Sequence, residues 1–148
     1  MTNLSAFIAQ AHKHGYAAAQ PDNATEQAGT ILTYERGPWR YRDSYTGSSA
    51  FVGHEVVSHE SDPVWGMSYY GDLTTVTVDR DKVYGFLRDA LREATPARPY
   101  RGPEQLRGDD LSYRSTVDGN LDRFDGEEEI RTEGEIVYRG QFSGGRVE

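Results

Sequence analysis

Apolar residues recur at helical spacing in two short segments of the chain. The first predicts a helix that begins at a cap on Asn3 or Ser5 and reaches about Tyr16. The second predicts a helix over residues 82–94, with one of the two preceding aspartates as its cap and two prolines just after it. We therefore expect two amphipathic helices that pack against a common partner.

Alternating and β-branched runs predict strands in most of the remaining chain. A pair of strands around a Gly-Pro turn is expected over 31–45, and further strands over 51–59, 63–70, 73–78, 111–117, 123–131 and 135–142. The polar segment 20–29 is interpreted as a connector. The result is a chain of mixed helix and strand in which strands predominate.

The order helix, strands, helix, strands indicates an internal duplication. Segments 51–71 and 124–144 align without a gap, and conservative replacements accompany the identities. The identical pairs are Phe51/Phe124, Gly53/Gly126, Glu55/Glu128, Glu60/Glu133, Val64/Val137 and Gly71/Gly144. We expect one α+β domain over 1–148, built from two α-β-β-β repeats at about 4–78 and 79–148. Its antiparallel sheet would carry both helices on one face.

Features that occur in both copies are interpreted as structural. Phe51 and Phe124 recur, and Trp65 is matched by Tyr138, so these four aromatic residues are predicted in the core.

The repeated glutamates are predicted to form structural ion pairs. A two-residue turn at positions 48–49 places Arg42 opposite Glu55, and the second copy would pair Arg114 with Glu128.

The functional candidates are residues peculiar to the first copy. The register set by the turn at positions 48–49 places several aromatic side chains of the first copy on one side of the sheet, the outer face. The equivalent face of the second copy is charged and polar. The predicted ligand-binding residues are Trp39, Tyr41, Asp43, Tyr45, His54 and Tyr70. Such a face suits a small-molecule pocket or a protein partner, and the alternative is that the segment 20–29 or a second subunit covers it.

Three functional hypotheses follow from this face. The leading one is a non-enzymatic domain that binds a small molecule or a protein. The second is a hydrolase- or isomerase-like enzyme in which His54 is the base, Asp43 orients it and Glu55 is a second carboxylate. The third is a structural homodimer that packs through the aromatic face.

Composition narrows the remaining classes. A net charge of −8 disfavours nucleic-acid binding, and the absence of cysteine excludes thiolate chemistry. No apolar run is long enough for a membrane span, so we expect no membrane partner and a cytoplasmic location. No phosphate-binding or metal-binding motif is present, so no cofactor and no metal is expected, and His12 and His14 are interpreted as solvated.

The chain also resembles a known family. The motifs Tyr-Arg-Asp-Ser-Tyr-Thr-Gly at 41–47, Phe-Val-Gly-His-Glu at 51–55 and Trp-Gly-Met-Ser-Tyr-Tyr-Gly at 65–71 are similar to those of small prokaryotic proteins catalogued as domain of unknown function 5680. Some members carry a helix-turn-helix segment, which implies a sensor or effector-binding role for the domain. The resemblance implies no activity and no catalytic residues.

Overall fold

The protein combines two helices with one large antiparallel sheet. The computed structural model describes residues 3–14, 24–25 and 29–148. In chain order the elements are α1 (Leu4–His14), β1 (Ala24–Thr25), β2 (Gly29–Arg36), β3 (Trp39–Gly47), β4 (Phe51–His59), β5 (Asp62–Leu73), α2 (Arg80–Leu91), β6 (Gln105–Arg107), β7 (Ser112–Asn120), β8 (Arg123–Thr132) and β9 (Glu135–Arg146). The expected α+β class with an antiparallel sheet is confirmed.

The described strands form a single sheet in the order β1-β2-β3-β4-β5-β9-β8-β7-β6. Every neighbouring pair is antiparallel. Strands β2 to β5 form a meander on one side and β6 to β9 form another, and the long strands β5 and β9 join them at the centre. The two β-regions of the sequence are therefore continuous in one sheet.

Both helices begin at the predicted caps. The Asn3 side chain accepts a hydrogen bond from the Ala6 backbone N–H at 2.9 Å, and the Asp79 side chain accepts from the N–H groups of Asp81 and Lys82. These caps satisfy donors that the first helical turn leaves without an internal partner. The predicted end of the first helix near Tyr16 lies outside the described residues.

One face of the sheet, which we call the inner face, carries the buried side chains. Phe7 of α1 stacks on Tyr34 and Trp39 at this face, with ring centroids 5.7 and 5.4 Å apart. Tyr84 of α2 packs edge-on against the rings of two further inner-face residues, Phe51 and Tyr138. The opposite face, the outer face, is mostly exposed.

Two details of the predicted strands are wrong. Residues 74–79 form no strand, because β5 ends at Leu73 and the chain then leaves the sheet to reach the Asp79 cap of α2. A short edge strand, β6, was not predicted. In the predicted connector, residues 24–25 form β1, residue 29 begins β2, and 20–23 and 26–28 lie outside the described residues.

The predicted register between β3 and β4 is also wrong, by one residue. The connection has three residues, so Gly47 pairs with Phe51 and Asp43 lies opposite Glu55. Gly47 has φ +108°, a left-handed conformation that favours glycine and lets the chain turn there. Because side chains alternate between faces, this one-residue shift moves every β3 side chain to the face opposite the predicted one.

The predicted ion pairs are lost with that register. Arg42 lies opposite Val56 on the outer face, whereas Glu55 points to the inner face. In the second meander Arg114 lies opposite Glu129 rather than Glu128. The two repeated glutamates therefore need other partners.

Candidate functional site

Two carboxylic acids face each other on the inner face. Asp43 of β3 and Glu55 of β4 are directly opposed and have no exposed surface. Directly opposed side chains in an antiparallel sheet are about 5 Å apart at Cβ, so the two acids interact strongly. Burial, together with the adjacent Glu55, raises the pKa of Asp43 well above its ordinary value. Asp43 therefore keeps its proton to a higher pH than an ordinary aspartate does.

Each acid has a polar partner from another element. The Tyr69 hydroxyl of β5 donates to Asp43 Oδ1 at 2.7 Å. The imidazole Nε2 of His12 on α1 lies 2.7 Å from Glu55 Oε1, and both side chains are fully buried. The second oxygen of Glu55 has no hydrogen-bond partner among the described residues. His12 contacts Glu55, Tyr69 contacts Asp43, and the two acids are opposed across β3 and β4. We call these four side chains the acid cluster.

The second meander holds a different buried carboxylate. Arg101 binds Glu128 with two hydrogen bonds of 3.1 and 2.6 Å, and the hydroxyls of Tyr113 and Tyr138 donate to the same carboxylate at 2.8 and 2.7 Å. Burial alone would raise the pKa of Glu128, but the Arg101 charge and these hydrogen bonds outweigh it, so the pKa is lowered. Glu128 is therefore a fully satisfied, charged group.

A pocket of about 200 Å³ lies between the inner face and α2. Its described lining consists of aromatic and aliphatic side chains with a few polar groups: Tyr45, Gly47, Ser48, Phe51, Tyr69, Tyr84, Leu87, Arg88, Leu91 and Arg101. Tyr69 links this pocket to the acid cluster, and Arg101 links it to Glu128. The Arg101 guanidinium lies 4.9 Å from the centre of the Tyr69 ring, within the range of a cation–π contact.

The predicted ligand-binding residues are divided between the two faces. Tyr45 lines the pocket on the inner face. Tyr41 and Asp43 are fully buried on that face, so the outer face predicted for them is wrong. Trp39 packs against Phe7 at the far side of the same face.

His54 and Tyr70 are the two predicted residues that do lie on the outer face, where both are exposed. His54 contributes to a broad outer hollow of about 610 Å³ with a largely polar lining. The enzyme hypothesis required Asp43 to orient His54. That pair is not formed, because His54 lies opposite Ser44 and its side chain is on the other side of the sheet.

The residues predicted as structural aromatic groups lie together in the centre of the sheet. Trp65 stacks on Phe124 with ring centroids 5.8 Å apart, and Phe51 stacks on Tyr138 at 6.2 Å. Three of the four are buried and Phe51 is half-buried beside the pocket. Each stack joins a residue of β4 or β5 to one of β8 or β9.

The sequence analysis missed several residues of the site, including His12, Arg101 and Arg88 of the pocket. His12 was interpreted as solvated, yet it is buried on the same helical face as Ile8 and Ala11, and that spacing was the available signal. Arg101 lies in the irregular segment between α2 and β6, where no periodicity marks a buried side chain. The one signal for Arg101 was that Glu128, which recurs in the sequence, needs a cationic partner.

The described residues contain neither a metal-binding cluster nor a membrane-spanning helix. Within 3–14, 24–25 and 29–148, no group of three or more histidine and acidic side chains is placed to hold a metal ion. The two helices in those ranges are too short and too polar to cross a membrane.

Comparison with known proteins assigns the chain to a family. The family described as "Domain of unknown function (DUF5680)" matches residues 43–147, which is most of the chain. The chain belongs to the DUF5680 family. The resemblance inferred from the motifs is thereby confirmed, and the DUF5680 match includes the pocket residues, Asp43, Glu55 and Glu128 but not His12 of α1. No curated protein and no solved structure matches the chain.

Proposed function

We propose that this DUF5680 chain is a small-ligand-binding domain of the sensor or effector type. Its site is the pocket between the inner face and α2, in place of the outer face suggested by the sequence. The observation that carries the proposal is the lining of this pocket, in which the rings of Tyr45, Phe51 and Tyr84 surround a space beside Tyr69 and Arg101. Ligand sites in proteins typically combine apolar walls with a few convergent polar groups.

The polar groups beside the pocket are held rigidly by their own partners. Tyr69 is bound to Asp43, and Arg101 is bound through two nitrogens to Glu128. Groups fixed in this way are preorganised for a ligand, because binding does not require them to lose further side-chain freedom. This favours specific binding over adventitious occupation of an apolar gap.

We further propose that the chain is an internal duplication with both helices on the inner face. Two pairs of structural details support it. A register irregularity follows Val57 in β4 and Ile130 in β8, which are aligned residues of the two copies. Gly47 at the end of β3 and Gly119 near the end of β7 both have positive φ, and each of these strands is the third from the end of its half. The first half then contains five strands, β1 to β5, and the second contains four, β6 to β9, whereas the predicted α-β-β-β unit has three.

The duplication explains why the site lies where it does. Glu55 and Glu128 are aligned, but Asp43 is matched by Ser115 and Tyr69 by Phe142. The Tyr69 hydroxyl and the Asp43 carboxyl behind the pocket are therefore present in the first half only. Divergence of one copy from a common plan is a reasonable origin for a binding site.

The proposal is tested by titrating the ¹⁵N-labelled protein with benzyl alcohol, a neutral single-ring probe, and following amide shifts. We expect saturable shifts that cluster at Tyr45, Phe51 and Leu87. The variant Ser48→Trp, which places an indole at the pocket, should lose the response, whereas Ser49→Trp, one residue further along the same loop, should retain it. Shifts confined to His54 and Tyr70, or no saturable shifts, would contradict the proposal.

A further inference from the structure

The charged side chains that line the pocket are both arginines. Arg88 projects from α2 and Arg101 from the segment before β6, and none of the described lining residues is a carboxylic acid. Arg101 is committed to Glu128 by two hydrogen bonds. Arg88 is exposed and forms no salt bridge with any of the described residues. An uncompensated cation therefore stands at the edge of an aromatic pocket.

Two buried acids bind residues of the pocket lining other than Arg88. Asp43 lies behind Tyr69, where burial and Glu55 raise its pKa. Glu55 itself is in contact with His12 on the far side of Asp43. Glu128 is paired with Arg101, so Arg88 is the lining cation with which a negative group on a ligand can pair.

The volume limits the ligand to a small molecule. A cavity of about 150 Å³ is large enough to bind benzene. At about 200 Å³ the pocket has room for one ring with a short substituent and is smaller than the sites of drug-sized ligands. Its apolar walls, which include Phe51, Leu87 and Leu91, suit a flat ring.

We propose that the pocket takes a small aromatic carboxylate, with its ring against Phe51 and Leu87 and its carboxylate toward Arg88. The inference rests on the proposed function, since it names the ligand class of the same pocket. The preference has to be local, because the whole chain has a net charge of −8 and repels anions at long range.

The experiment compares three probes of the same size by NMR titration at pH 7: benzoate, benzyl alcohol and benzylamine. Benzoate should bind about two- to fivefold more tightly than benzyl alcohol, the range expected for an exposed ion pair, and benzylamine should bind most weakly. Arg88→Gln should lower the affinity for benzoate to that for benzyl alcohol. Arg92→Gln, which removes an exposed arginine of the same helical region that pairs with Asp89, should retain the preference.

The outcomes separate the two proposals. If benzyl alcohol binds in the pocket and benzoate binds no more tightly, the ligand class is wrong and the proposed function stands. The ligand class is equally wrong if Arg92→Gln removes the preference as completely as Arg88→Gln, because the effect is then one of general charge. If none of the three probes binds, the proposed function fails and the ligand class fails with it.

Discussion

At the scale of single residues, the two halves bury aligned glutamates in opposite electrostatic settings. Glu128 is matched by a guanidinium and two hydroxyl donors, so its charge is fully compensated. Glu55 has His12 on one oxygen and a second acid, Asp43, across the strand pair. An isolated buried charge is costly, and two adjacent acids lower that cost when one of them holds a proton.

The acid cluster gives a prediction for Asp43→Asn. The amide oxygen can still accept from Tyr69, and the amide N–H₂ can donate to Glu55, whose second oxygen has no partner among the described residues. We expect the variant to be more stable at pH 8 by about 1 kcal/mol, which raises Tm by about 2–4 °C. Differential scanning fluorimetry over a pH series measures the gain.

The sign of the pH dependence follows from the raised pKa of Asp43. The folded state of the wild type binds more protons than the unfolded state, so stability is lost as pH rises from the ordinary aspartate pKa of about 3.9 through the folded value. The variant lacks this group, so its advantage should shrink as the pH falls toward 4. Asp62→Asn, at an exposed position of β5, is the control and should change nothing. A lower Tm for Asp43→Asn at pH 8 would mean that a charged Asp43 stabilises the fold.

At the scale of elements, glycines in the strands make room for rings that cross the sheet. A Cβ at Gly53 would lie 2.2 Å from both Cζ and the hydroxyl of Tyr69, and a Cβ at Gly126 would lie 2.4 Å from Cζ of Phe142. Without the space left at Gly53, Tyr69 could not lie across β4 and reach Asp43 on β3. The packing of Tyr69 across the sheet and its contact with Asp43 in the acid cluster therefore both depend on Gly53.

Gly53→Ala and Gly85→Ala should have opposite effects on stability. At Gly53 the added methyl forces Tyr69 to move, so we expect a loss of about 1–3 kcal/mol and of the Tyr69 contact with Asp43. Gly85 lies within α2 with no neighbour within 4 Å of the new atom, so the same substitution should stabilise by about 0.5–1 kcal/mol. Urea unfolding of both variants makes the comparison. A Gly53→Ala protein as stable as the wild type would show that Tyr69 has another route to Asp43.

The sequence predicted the elements better than it predicted their register. Periodicity located the helices and most long strands because each has one buried and one exposed side. The pairing of β3 with β4 depended on the length of the loop after Gly47, and one additional loop residue reversed the face assigned to Asp43. The run 73–78 has high strand propensity, but its pairing with β9 ends at Leu73 and one further backbone hydrogen bond from Thr74 to Val137. The chain then turns away toward the cap of α2, so propensity alone was misleading there.

The candidate site was predictable only in part. Tyr45 and Asp43 were selected because the segment aligned with theirs lacks these residues; Tyr45 lines the pocket and Asp43 belongs to the acid cluster behind it. His54 was selected by the same rule and lies on the other face. Arg101 comes from an irregular segment whose path depends on tertiary packing, which local sequence patterns do not encode.

At the scale of the whole molecule, aromatic stacks connect the two halves of the chain. Trp65 stacks on Phe124, and Phe51 stacks on Tyr138, across the central pair of strands β5 and β9. The pocket also combines strand residues of the first half with α2 of the second. A core shared in this way favours unfolding as one cooperative unit.

Cooperativity between the halves is tested by Ile130→Ala, which truncates a fully buried side chain of β8. The cavity should cost about 2–5 kcal/mol. Both tryptophans, Trp39 and Trp65, lie in the first half, so their fluorescence reports on β3 and β5. Because the halves share one core, we expect the urea midpoints from fluorescence and from circular dichroism to fall together.

The exposed Val76 offers the control, since Val76→Ala removes a side chain that is 99% exposed and should leave both midpoints unchanged. An Ile130→Ala protein whose fluorescence midpoint stays at the wild-type value while its circular dichroism transition splits would contradict the prediction. The halves would then unfold separately. Both halves line the pocket, so a bound ligand would in that case bridge two units that are each stable alone. In a cooperative fold, by contrast, the free energy of ligand binding stabilises the whole chain.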